Sequence, residues 1–282
     1  MQSSNPVFNR SEGFNGRGQT TYAGNGMSYP AYGAPAEAGQ WQGGGYSETR
    51  PMTIDSVVQK TGITLAVVVV VAAATWVLTP PIDSIDAART LGSIAMLGAL
   101  GGFALSLVNS FKRVVSPALV IAYAAFEGLF VGGFSKAIET QFSGPNGSGG
   151  LVIGAVVGTF GAVGGTLAAY KFFDIQVGSR FRKWAVAAMF GFVGVALLDF
   201  VLGIFHADLG LLGFGPAGLL FSILGLGIGV IMLILDFDFV ERGIAAGLPE
   251  RESWRAAFGL TVTIIWIYIQ LLKILAILRG QD

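Results

Sequence analysis

The chain has no cysteine and one histidine, His206, which excludes disulfides, iron–sulfur clusters, thiolate nucleophiles and multi-histidine metal sites. Charge is also scarce: 12% of residues are Asp, Glu, Lys or Arg, about half the share usual in soluble domains. The 17 basic and 17 acidic residues cancel, so no global basic field exists to hold nucleic acid, and none is expected as a partner. What is abundant is apolar surface and glycine: 53% hydrophobic residues, 42 glycines and a mean hydropathy of +0.66. A soluble core of this size would need far more charge around it. The bilayer is the expected solvent.

The apolar residues fall into runs at about 63–81, 91–110, 115–135, 151–171, 185–205, 217–240 and 255–278. Each is near the ~20 residues that cross the hydrocarbon core as a helix, so the expected fold is an all-α membrane protein with seven spans over 63–282. Residues 1–50, rich in Gly, Tyr and Pro, bury too little apolar surface to offset chain entropy and are expected to be a disordered tail. They lack the basic and apolar regions of a secretory signal. A short amphipathic lead-in at 51–62, PMTIDSVVQKTG, offers Thr53 as a helix N-cap. Lys112 and Arg113, then Lys171, Arg180, Arg182 and Lys183, then Arg242 and Arg251 mark alternate connections, with Arg255 opening the last span. The opposite connections carry only Arg89 and Lys136. This bias predicts a cytoplasmic N-terminus and an outside C-terminus.

Small residues recur where helices approach closely: Gly98, Gly101 and Gly102, then Gly154/Gly158 and Gly161/Gly165 at GxxxG spacing. GLGIG at 225–229 lacks the strand and helix context of a phosphate loop and is read as a packing or bending element.

Ionisable groups at membrane depth are costly and mark the places where function should be sought. Glu127, in YAAFEGLFVGG, is either interhelical glue or a titrating group, with Tyr123 one turn earlier on the same face. Asp199 is an interfacial carboxylate or a pore group, and His206 a loop residue or a pH sensor. Asp236 and Asp238 project about 200° apart on a helix, so one is expected to face the bundle interior and the other to reach cytoplasmic water near the end of the sixth span. Trp266, Gln270 and Lys273 form a polar stripe that turns inward, or ends in a snorkelling lysine. No nucleophile, base and orienting group come together in the sequence, so no enzyme is expected.

Together, FEGLFVGGFS, LDFD in the sixth run and WIYIQLLKIL in the seventh resemble the Bax-inhibitor/YccA family, also called the transmembrane Bax inhibitor motif family. The SNPVF start and PMTIDSVVQKTG segment are similar to a bacterial subset. The resemblance implies a central helix wrapped by six others in the bacterial inner (plasma) membrane. For some members it implies a pH-sensitive calcium leak, in which a sixth-span and a seventh-span aspartate share a proton. Those positions fall here on Asp236, or Asp238, and on Gln270, which does not titrate; Glu127 and Asp199 are further candidates for the pathway. Calcium is then the expected permeant ion, with no cofactor and no bound metal. Membrane lipids are partners, and the alternative reading is a non-conducting regulator of other membrane proteins, such as a membrane-bound protease.

Overall fold

Residues 50–142 and 149–280, apart from 174, 176 and 208, are described by the computed structural model. The tail expected at 1–50 therefore lies outside the described residues, except for Arg50. In chain order the helices are α1 (Ile54–Leu78), α2 (Ile85–Phe111), α3 (Pro117–Phe142), α4 (Leu151–Phe172), α5 (Ser179–Ile204), α6 (Pro216–Ala245) and α7 (Glu252–Arg279). All seven are long and apolar enough to cross a membrane. Among the described residues no β-strand forms, only an isolated bridge between Pro51 and Pro249. The chain is thus the all-α, seven-span protein that its apolar runs predict.

Helix α1 starts as expected behind Thr53, whose hydroxyl accepts from the Ser56 amide while the Ser56 hydroxyl accepts from the Thr53 amide, each at 3.1 Å. No proline interrupts the chain from Ile54 to Leu78, and the helix passes through Gly62 without a break. From Ile54 on, the lead-in expected at 51–62 is continuous with the first spanning helix. Lys60, within it, is buried and donates to the Glu250 carboxylate at 3.2 Å and to the Glu250 carbonyl at 3.0 Å.

The layering follows from where apolar surface is left uncovered. In the most apolar stretch of α7, 61% of residues are buried, against 44% in α3 and 17–33% in the others. Helix α7 is therefore the central element. Its close backbone neighbours are α1, α3, α4 and α6, whereas α2 lies against α3 and α5 against α6. The outward faces of α1, α2, α4 and α5 carry exposed Val, Ile, Leu and Phe, as a lipid-facing surface requires.

Glycines set the seams. A Cβ on Gly98 would lie 2.5 Å from the Phe130 backbone nitrogen, so α2 meets α3 nearly backbone to backbone. Gly128 and Gly132 admit Val71, Ala72 and Thr75 of α1 in the same way. Gly154 and Gly158 face Leu275 and Leu271 of α7, which makes the first GxxxG an internal seam. The second is not one: nothing lies within 4 Å of a Cβ at Gly161 or Gly165, because both lie on the exposed face of α4, whose other face buries Thr166 and Tyr170.

Several hydroxyls at membrane depth are satisfied locally. The hydroxyls of Thr64, Thr75, Thr159, Thr166 and Thr261 return to the carbonyl one turn earlier. Lys136 belongs to α3 rather than to a connection. Its ammonium caps the end of α1, donating to Trp76 O at 2.9 Å, Thr79 O at 2.7 Å and the Thr79 hydroxyl at 2.9 Å. Gly150 has no side chain to cap α4, and the Glu139 carboxylate of α3 does so, accepting from the amides of Gly150, Leu151 and Val152. At the opposite end of the bundle, Arg255 donates to Arg113 O at 2.6 Å and Arg242 to Val177 O at 2.6 Å. Met52 donates to Leu248 O at 2.7 Å. These contacts gather the start of α1 and the α2–α3, α4–α5 and α6–α7 connections on one face.

Candidate functional site

Two residues separate the aspartates of α6 from quite different surroundings. Asp238 is buried and ion-paired with Arg182 at 2.7 Å and Arg242 at 2.9 Å, which ties α5 and the α4–α5 connection to the end of α6. Asp236 turns the other way, toward α7, where its Oδ2 accepts from the Thr263 hydroxyl at 2.6 Å. Of the two, Asp236 is the one that faces the central helix α7, while Asp238, the less exposed, is buried in its ion pairs instead of reaching water.

Asp236 lines a cavity of about 280 Å³ walled by Ser106 and Ser110 of α2, Met189 of α5, Met232 of α6, and Phe258 and Thr263 of α7, among others. It is the one ionisable residue in that lining, which holds no Lys or Arg to neutralise it. Gly259 of α7 lies beside the carboxylate, where a Cβ would sit in ordinary contact at 3.5 Å from Oδ1. The other polar side chains of the wall, Trp266 apart, are hydroxyls, so the cavity presents hard oxygen to its contents.

Trp266 closes one side of this cavity. Its indole N–H donates to Gly225 O at 2.8 Å, and Gly229 has no side chain where the ring lies, since a Cβ would fall 2.9 Å from Cδ1. Phe192 of α5 meets Trp266 edge to face at 5.5 Å and stacks on Phe221 of α6 at 4.0 Å. GLGIG is accordingly a packing element that lets α6 receive α7 side chains.

Gln270 does not meet Asp236, in contrast to the pairing that the resemblance implied. It is buried against Gly225, where a Cβ would come 2.8 Å from its Cδ. The antiparallel register of α6 and α7 puts Thr263 opposite Asp236, seven residues and so about 10 Å along the axis from Gln270. The connection between the two helices sets that offset. Sequence reasoning missed Thr263, although the glycines at 225 and 229 facing Gln270 and Trp266 carry the register that would have found it.

The other candidates lie elsewhere. Glu127 points at α2, its Oε2 2.5 Å from where a Cβ of Gly102 would be, and Gly102 is one turn from Ser106 of the cavity. Tyr123 packs edge-on against Phe258 at 5.0 Å. Asp199 is 2% exposed and holds the α5–α6 connection, accepting from the amides of Leu209 at 2.6 Å and Leu212 at 2.9 Å. Lys273 is turned inward onto the same connection, donating to Leu211 O at 3.2 Å. His206, two residues beyond α5, has a left-handed φ of 57°. Among the described residues no three His, Asp or Glu side chains converge as a metal site would require.

A seven-helix membrane bundle with an acid in a cavity between α2, α5, α6 and α7 is the class that this fold and geometry define. Residues 5–280 match the family model described as Bax inhibitor 1 like, and the chain belongs to that family. No curated protein matches it.

Proposed function

We propose that the chain is a passive cation pathway for calcium, with Asp236 as the group that attracts and gates the ion. The observation that carries this reading is the cavity itself: a single carboxylate with the hydroxyls of Ser106, Ser110 and Thr263 in an otherwise largely apolar wall that holds no basic side chain. An unpaired acid at membrane depth is expensive to keep, and hard oxygen suits calcium. Membership of the Bax inhibitor 1 like family supports the reading. Thr263 hydrogen-bonds but does not ionise, so the pH response of this pathway rests on one carboxylate rather than a proton shared by two.

In the proposed orientation the face that gathers the basic connections is cytoplasmic, in the plasma membrane of a bacterial cell. The cavity then lies toward the cytoplasmic end of α6 and α7.

Calcium uptake into liposomes holding the purified protein tests the proposal, with the native chain compared with Asp236→Asn across neutral pH. We expect the substitution to change flux by tenfold or more and to flatten its pH dependence. Thr263→Asp, which supplies the second acid, should steepen that dependence. Absence of flux in native protein at every pH would reject the pathway and move the reading to a regulator that binds other membrane proteins.

A further inference from the structure

The stripe of α7 that bears Thr263, Trp266 and Gln270 faces an α6 stripe of Asp236, Gly229 and Gly225. Polar groups occur on it at two levels. On one side of Trp266 is the Asp236 cavity. On the other are the buried Gln270 and the Ser222 hydroxyl, which is fully buried and has no hydrogen-bond partner. Between them stands the aromatic cluster of Trp266, Phe192 and Phe221.

We propose that this three-ring cluster is the barrier of the pathway, and that it opens when α5 withdraws Phe192 from α6 and α7. The inference deepens the cation-pathway reading and rests on it for the identity of what passes. Trp266 is the fixed part, since its N–H is bonded to Gly225 O and its ring lies in the space that Gly229 leaves. Phe192 is the movable part. Its helix comes close, backbone to backbone, only to α6 among the described helices. Near its basic end α5 is held by the Arg182–Asp238 ion pair, with Arg182 47% exposed and open to competition from water and ions. Parting the rings would expose aromatic faces, which attract cations and give anions nothing.

Because the chain has no cysteine, a single introduced thiol is a unique reporter. Ser106→Cys places it in the wall of the cavity. In oriented proteoliposomes Ag⁺ is added to one side, and reaction is read as loss of later maleimide labelling. With Phe192 intact, we expect Ag⁺ to react from the basic face only. With Phe192→Ala we expect reaction from the opposite face as well, together with at least a tenfold rise in calcium flux that Asp236→Asn reduces. Phe192→Leu, which keeps apolar contact but removes the ring, should give the same result to a smaller degree and covers failure of the alanine variant to fold. Phe200→Ala, at a lipid-exposed ring of the same helix, should change nothing. Reaction confined to the basic face in folded Phe192 variants overturns the barrier, even where Asp236→Asn still alters flux. Two-sided reaction without calcium flux upholds the barrier and rejects calcium conduction.

Discussion

Replacing Asp199 should loosen one end of the bundle without touching the pathway. The carboxylate, 2% exposed, accepts two backbone N–H groups of the α5–α6 connection and is a nearby counter-charge for Lys273. A hydrogen bond to a charged group contributes about 1.5–3 kcal/mol. Leu209 and Leu212 are 58% and 43% exposed, so their amides recover part of the loss from water. The lower limit is therefore the better guide, and Asp199→Ala should cost about 3 kcal/mol for the two bonds. Asp199→Asn keeps one acceptor oxygen and should cost about half, roughly 1.5 kcal/mol. At roughly 2–4 °C per kcal/mol for larger domains, melting should fall by about 6–12 °C for Ala and 3–6 °C for Asn. Thermal unfolding in detergent measures the shift, and hydrogen exchange at Leu209 and Leu212 locates it. The reasoning fails if Asn melts with the native chain and those two amides exchange at native rates. Calcium flux in Asp199→Asn should match the native level, because the residue lies outside the Asp236 cavity.

Further substitutions separate close packing from open space and from capping. Gly98→Ala should destabilise by about 1–3 kcal/mol, because its Cβ meets backbone of α3. Gly161→Ala, with nothing within 4 Å, should stabilise by about 0.5–1 kcal/mol through helix propensity, and unfolding of both in one detergent gives the contrast. Lys136→Met should cost about 2–3 kcal/mol, since the carbonyls of Trp76 and Thr79 lose their buried donor, and protection of the last turn of α1 from hydrogen exchange should fall.

The parts of this molecule that depend on local chemistry were legible from its residues. Seven apolar runs became seven helices, Thr53 starts the first, and Gly98, Gly101 and Gly102 line a helix seam. Polar partners were not legible, because they depend on how helices slide past one another. Asp236 and Gln270 can be paired on paper, yet a two-turn offset of α7 substitutes Thr263. Asp199 reads as an interfacial or pore-lining acid until the connection beyond it folds back and presents two amides. Likewise Lys136 reads as a charge of a connection, and only the positions of α1 and α4 reveal it and Glu139 as caps for neighbouring helices.

The central place of α7 has a consequence for the order of assembly. In the chain it comes after all of its neighbours, so α1 to α6 enter the bilayer before the helix they are arranged around. The glycine seams between α1, α2 and α3 are complete without it and can close early as a trio. The seam of α4 cannot, because Gly154 and Gly158 fit leucines that α7 has yet to bring. The early bundle therefore holds a slot open in lipid, and insertion of α7 is the step that converts loosely associated helices into the final protein.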